Sequence, residues 1–119
     1  KAFLSERATV AMSAGIARDR IVLDPGFGFG KTPEHNLDLI RALPVLREAG
    51  FPLLAGLSRK ALFGKIVGRE KAERIHASAA GAMLAVQRGA AIVRVHDVAA
   101  TRDSLLVLRA IDDPNFIFP

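Results

Sequence analysis

Ile21-Val22-Leu23-Asp24-Pro25-Gly26-Phe27-Gly28-Phe29-Gly30-Lys31 decides how this chain is read. The first three residues are β-branched or aliphatic and end a buried strand, expected from about Arg20 to Leu23. Glycines then take the alternate positions 26, 28 and 30, where a missing Cβ opens φ > 0 and keeps the backbone bare. Two phenylalanines stand between them, with a carboxylate at the entry and an ammonium at the exit. A loop both bare and aromatic suits a flat ring better than a protein partner. Asp24, at the strand tip, could accept two N–H bonds from the edge of a guanidine-like heterocycle, and carboxylates make such bonds strongly.

Two phosphate-binding motifs fail on spacing. The dinucleotide fingerprint needs G-x-G-x-x-G, whereas Gly26, Gly28 and Gly30 give G-x-G-x-G. Gly30-Lys31-Thr32 matches the end of a P-loop, but the first glycine of that motif would fall on Pro25. Pro33 follows directly, so Thr32 reads as a helix N-cap and Pro33 as the first helical residue, not as a magnesium site.

Working outward, the same unit recurs. Helix-ending glycines stand at positions 15, 50 and 89, each followed by a short apolar strand ending in polar residues. The expected strands are Arg20 to Leu23, Pro52 to Gly56 and Ala91 to Val95. Helices are expected over residues 2–14, over 34–49 with a bend or break at Pro44, over 61–67, up to Gln87 with Ile75, Ala79, Ala82 and Val86 inward, and over 98–111. Strand-helix units in series mean an α/β fold with a parallel sheet and right-handed crossovers.

Composition bounds the rest. The 119 residues make at most one ordinary domain, and 50% hydrophobic content calls for a packed core. Cysteine is absent, which removes disulfides and thiolate metal sites and fits a cytoplasmic location. No signal-like N-terminus and no apolar run near ~18 residues argues for a membrane partner. The net charge of +5 comes from scattered basic residues without Tyr or Trp, a poor nucleic-acid surface and a reasonable match to an anionic small substrate.

In a parallel α/β sheet or barrel, the C-terminal strand ends share one face. Asp24, Ser58, Lys60, Arg94 and His96 would therefore converge although they lie far apart in sequence. Arg94 and His96 share strand parity, with Val93 and Val95 on the other side. An Arg beside a His suits a phosphate or diphosphate: a planar fork of donors, plus one or two more. Each residue also has a plainer reading. Arg94 could pair with Asp97, His96 could be a satisfied strand-end histidine, and Lys60 could be a solvated helix-start lysine. Asp97 reads as the N-cap of the last helix, Arg59 as structural or surface, and His35 and His76 as surface or packing residues. No carboxylate pair, metal-ligand cluster or Ser-His-Asp order is visible.

The loop Asp24 to Lys31, then Ser58-Arg59-Lys60, then Arg94-Val95-His96-Asp97 resemble, in order and spacing, dihydropteroate synthase of folate biosynthesis. The likeness runs from the first helix to about Ile111, without the tail 112–119. It implies a TIM (β/α)8 barrel, of which residues 1–111 would be the C-terminal part holding the last three strands. It implies an enzyme, a transferase joining p-aminobenzoate to a dihydropterin methyl diphosphate with release of pyrophosphate. By that likeness Asp24 would bind the pterin edge, and Lys60 both the pterin and the aminobenzoate region. Ser58 and Phe29 would help form the aminobenzoate pocket, while Arg94 and His96 would hold the leaving diphosphate. Gly28 and Val95 complete the implied substrate contacts, with Lys60, Arg94 and His96 as the catalytic group. Mg2+ would accompany the diphosphate, with its protein ligand outside this segment, and sulfonamides would compete at the aminobenzoate pocket.

A complete barrel needs eight strand-helix units in about 250 residues. Three strands cannot close one, so outer edges and one sheet face would stay uncovered. The chain is therefore expected to form a homodimer or to associate with the missing half-barrel. The isolated segment is expected to be inactive. Two other readings remain open at this point: a pterin-binding barrel of a folate-dependent methyltransferase or inactive homologue, and a structural half-barrel that only self-associates.

Overall fold

A computed structural model describes residues 1–28 and 30–119. Six α-helices and two strands alternate along the described chain: α1 (Ala2–Ser13), α2 (Pro33–Arg41), α3 (Leu43–Arg47), β1 (Leu53–Ala55), α4 (Ala61–Val67), α5 (Ile75–Gln87), β2 (Ala90–Val93) and α6 (Val98–Asp112). One-turn 3₁₀ helices cover Arg18–Arg20 and Lys71–Glu73.

Local chemistry explains most of these boundaries. Thr32 caps α2, its Oγ1 accepting from the His35 N–H at 3.1 Å, and Pro33 opens the helix. The expected 34–49 helix is split at residue 42, and Pro44 sits in the first turn of α3, where its missing N–H costs least. Gly68 closes α4 in the left-handed region at φ +69°.

The strands are parallel as expected, but the first is cut down. β1 and β2 pair in parallel, while the Arg20–Leu23 segment contributes one bridge, Leu23 to Leu53, also parallel. Leu23 N–H donates to Pro52 O at 2.9 Å and Leu54 N–H to Leu23 O at 2.8 Å. The rest of that expected strand is lost because Arg18–Arg20 turns as a 3₁₀ helix. Arg18 anchors that turn, donating to Gly50 O at 3.2 Å and lying 4.2 Å over the Phe51 ring. The expected third strand is also shorter than read, ending at Val93.

The core joins Leu23, Phe27, Leu43, Leu46, Leu53, Leu57, Phe63 and Ala90 across the sheet and helices. Helix α5 packs on α6 and β2 through small residues; Ser78, Ala79, Gly81, Ala82 and Ala85 are all buried. Other apolar surface stays open, with Val22 and Ile92 each 43% exposed beside the strands. The radius of gyration is 15.5 Å in a slab of 42 × 39 × 21 Å. A compact globule of this length would have about 13.5 Å. No helix of the described residues is long and apolar enough to cross a membrane.

Candidate active site at the strand tips

The two tips are tied together past the sheet. Backbone pairing runs on to Arg94, whose N–H donates to Ala55 O at 3.1 Å. Side chains then take over. Ser58 Oγ accepts the His96 backbone N–H at 3.1 Å and lies 2.9 Å from His96 Nδ1. Arg59 grips Asp97 with two bonds, Nη2 to Oδ1 at 2.6 Å and Nε to Oδ2 at 3.1 Å.

These contacts correct two sequence readings. Asp97 stands at the N-cap position of α6, but its side chain makes no cap bond; its carboxylate goes to Arg59. The Arg59 hydrogen bond and charge hold the Asp97 carboxyl below the usual carboxylate range, and Asp97 raises Arg59 in turn. Arg94 therefore does not take Asp97 as its partner. Its guanidinium lies over Gly56, where a Cβ would come within 2.5 Å of Nη2. That crowding is the reason for a glycine at the β1 tip.

A cavity of about 340 Å³ opens here, lined by Gly56, Ser58, Lys60, Arg94, Val95 and His96 together with Arg59 and Lys71. Five expected site residues thus meet around one space. Val95 is among them although strand parity put it on the far side, because the strand ends at Val93 and alternation ends with it. His96 is exposed toward the space, while Ser58 behind it is buried.

The glycine loop sits on the other side of Lys60. Gly28 has φ +82°, and a Cβ there would lie 3.1 Å from Lys60 Cδ and 3.6 Å from Nζ. Lys60 therefore bridges the loop and the cation cluster. Asp24 does not line the cavity. Its Oδ1 accepts the Gly26 N–H at 2.9 Å, which shapes the loop, and the residue stays exposed. Lys31 crosses the loop from the far end, Nζ donating to Gly26 O at 2.9 Å. Phe29 lies outside the described residues.

Three polar residues that support the site were missed in the sequence. Asn36, 5% exposed on α2, accepts the Gly28 N–H through Oδ1 at 2.9 Å. Ser78, 3% exposed on α5, accepts the Arg59 N–H at 2.8 Å. Arg74 donates to Arg59 O at 3.1 Å. For Asn36 and Ser78 the available signal was a polar residue on an otherwise apolar helix face. A second, adjoining cavity of about 450 Å³ is lined by Gly28, Lys31, Asn36, Lys60 and Lys65, among others.

The bare loop and the cations converging at the strand tips of this parallel α/β scaffold have the chemistry of a site for a flat, anionic small molecule. The family model described as pterin binding enzyme matches residues 1–96, and the chain belongs to that family. It is 50% identical over 109 residues to dihydropteroate synthase of Haemophilus influenzae, covering 92% of this chain and 40% of that protein. It is 52% identical over 113 residues to the synthase of Neisseria meningitidis serogroup B, with the same coverage of 92% and 40%. The chain thus spans about 40% of the length of these curated relatives. Among solved structures, dihydropteroate synthase of Stenotrophomonas maltophilia with imidazole in its active site superposes at a TM-score of 0.93 with 47% identity, covering 97% of this chain and 44% of that one. The Xanthomonas albilineans synthase in complex with 7,8-dihydropteroate gives 0.92 and 51%, covering 93% and 43%. The same enzyme with 4-aminobenzoic acid also gives 0.92 and 51%, covering 93% and 41%.

Proposed function

We propose that this chain is the C-terminal portion of a dihydropteroate synthase. Residues 1–111 would supply three units of a TIM barrel and residues 112–119 a tail. The slab-like shape and the apolar surface left open beside the strands support a partial barrel that packs on further strands or on a second copy. The complete enzyme joins p-aminobenzoate to 6-hydroxymethyl-7,8-dihydropterin diphosphate and releases pyrophosphate. The observation that carries this reading is the convergence of Ser58, Lys60, Arg94, Val95 and His96 on one cavity, beside a loop whose Gly28 leaves the space that the Lys60 side chain needs.

The chemistry asked of these residues is leaving-group stabilisation. The arylamine nitrogen forms a bond to the pterin methylene carbon as the C–O bond to diphosphate breaks, the electron pair of that bond leaves on the diphosphate, and the nitrogen gives up one proton to the departing diphosphate or to water. Arg94 supplies a fixed guanidinium, packed over Gly56, for the charge that grows on the departing oxygens. His96 adds an N–H, oriented by Ser58 from behind. Lys60 places an ammonium between the anion and the glycine loop, where it reaches the pterin and the amine region. Asp24 accepts N–H bonds from the pterin edge, and Gly28 lets the ring approach the backbone. Ser58, with Phe29, borders the aminobenzoate side. Holding amine and methylene carbon in line supplies the remaining rate effect without a covalent enzyme intermediate.

Magnesium is expected beside the diphosphate, with its protein ligand outside this segment. Among the described residues no three His, Asp or Glu side chains cluster. Asp97, next to His96 in the chain, is taken by Arg59.

Calorimetry of the dihydropterin diphosphate with the complete polypeptide tests the proposal. Arg94→Ala should weaken binding at least about tenfold, the scale of losing a charge-assisted hydrogen bond. Unchanged affinity in that variant would remove the anion grip and the synthase reading with it.

A further inference from the structure

Arg59 is not explained by the anion-holding residues. It is the only described non-glycine residue with positive φ, at +57°. It stands third in the turn Leu57 to Lys60, closed by the Lys60 N–H to Leu57 O at 3.2 Å, where glycine is the usual occupant. The chain keeps a long side chain in a conformation that L-residues disfavour. Its surroundings show what holds it there: Ser78 accepts its N–H, Arg74 donates to its carbonyl, and Asp97 takes Nε and Nη2.

The register of these bonds is informative. Ser58 meets His96 and Arg59 meets Asp97, two adjacent residues on one tip paired with two adjacent residues on the other, both 38 positions apart. Backbone pairing has ended at Arg94 and Ala55, two residues earlier on one tip and three on the other. Successive side chains of an extended strand face opposite ways. Ser58 and Arg59 can both reach the neighbouring tip because the chain turns between them. The result is a side-chain ladder of two rungs that prolongs the parallel sheet into the site.

We infer that Arg59, through Asp97, is a positioning residue: it locks the Ser58–Lys60 turn against the Arg94–His96 tip, so that His96, Lys60 and Arg94 face one anion. The inference rests on the diphosphate reading of the site.

Arg59→Gly in the complete synthase polypeptide is the test, because it removes the guanidinium while relieving the backbone. The thermal midpoint should stay near the parent's. The kcat for dihydropteroate formation should fall at least about tenfold, since small misplacements of reacting groups are costly. The KM for p-aminobenzoate should stay within about threefold, and the kcat loss should shrink below about threefold when His96→Ala is already present. Asp97→Asn, nearly the same shape without the charge, should show the same coupling and serves if Arg59→Gly does not fold. Equal kcat in Arg59→Gly and parent, or an equal loss in both backgrounds, overturns the inference. A parent that makes no dihydropteroate defeats the synthase reading instead. Calorimetry with pyrophosphate then decides the positioning role, and equal affinity of parent and Arg59→Gly defeats it.

Discussion

Alanine at Gly28 is expected to harm the site through Lys60, beyond any strain it puts on the loop. Three loop glycines allow the two effects to be separated. Gly26, Gly28 and Gly30 have φ of +76°, +82° and +63°, so each alanine carries a similar backbone penalty. That penalty is about 1–2 kcal/mol for an L-residue in the left-handed region. What a Cβ would meet differs. At Gly30 no described atom lies within 4 Å; at Gly26 Lys31 Nζ is 3.6 Å away, an ordinary contact; at Gly28 Lys60 Cδ is 3.1 Å away. The last is too close and requires the Lys60 stem to move by a few tenths of an ångström, carrying the ammonium with it. A displaced ammonium weakens its charge-assisted bond to the bound anion, a loss of about 1.5–3 kcal/mol at most, or roughly 10- to 150-fold in Kd. Denaturant unfolding of the complete polypeptide should show all three variants destabilised by comparable amounts. Calorimetry with the dihydropterin diphosphate should single out Gly28→Ala, with Gly30→Ala within about threefold of the parent. If Gly28→Ala binds as well as Gly30→Ala, the space left at Gly28 does not set the ammonium's position and the reasoning fails.

Asp24→Asn should lose pterin affinity with little loss of fold, because an Asn Oδ1 can still accept the Gly26 N–H that shapes the loop; equal pterin binding in calorimetry would remove Asp24 from the site. Acid should loosen the clamp between the tips. The folded carboxyl of Asp97 is held below its ordinary value by Arg59, so its stabilising contribution is full above the unfolded value near ~4 and is lost as pH falls through the lower folded value. Stability measured from about pH 5 downward should therefore fall less steeply in Asp97→Asn than in the parent, and parallel curves would contradict the pairing.

What could be read from the sequence was whatever near neighbours decide. Thr32 with Pro33, the break at Pro44 and the span of α4 depend on residues within one turn, and the structure shows all three. The parallel direction of the strands followed from the recurrence of helix-ending glycines. The shortfall came where a distant partner prevails. Ile21 and Val22 are apolar enough for a strand, yet the Arg18–Arg20 turn, with Arg18 held by Gly50 and Phe51, comes just before them and leaves one bridge at Leu23. Asp97 obeys the capping rule by position and breaks it by contact, because a guanidinium from 38 residues away competes for the same oxygens. A charged donor wins that competition over a backbone N–H.

Ser58 shows how buried support turns a cluster of cations into a directed site. Its Oγ is committed on one side to the His96 backbone N–H, which fixes the distance between the tips. On the other side it faces His96 Nδ1 at 2.9 Å. When the serine hydroxyl donates to Nδ1, the neutral ring carries its one proton on Nε2, the nitrogen away from Ser58. When the ring is protonated, Nδ1–H donates to Oγ and Nε2 still carries a proton. The remaining tautomer, with Nε2 bare, would aim a lone pair at any anion in the cavity and is disfavoured once one is bound. An anion in the cavity therefore favours the states of His96 in which Nε2 carries a proton, and Ser58 accommodates them by donating to Nδ1 or accepting from it. Arg94 and Lys60 are donors in every accessible state as well. In the proposed synthase, a donor set of this kind would meet the charge growing on a leaving diphosphate from three directions.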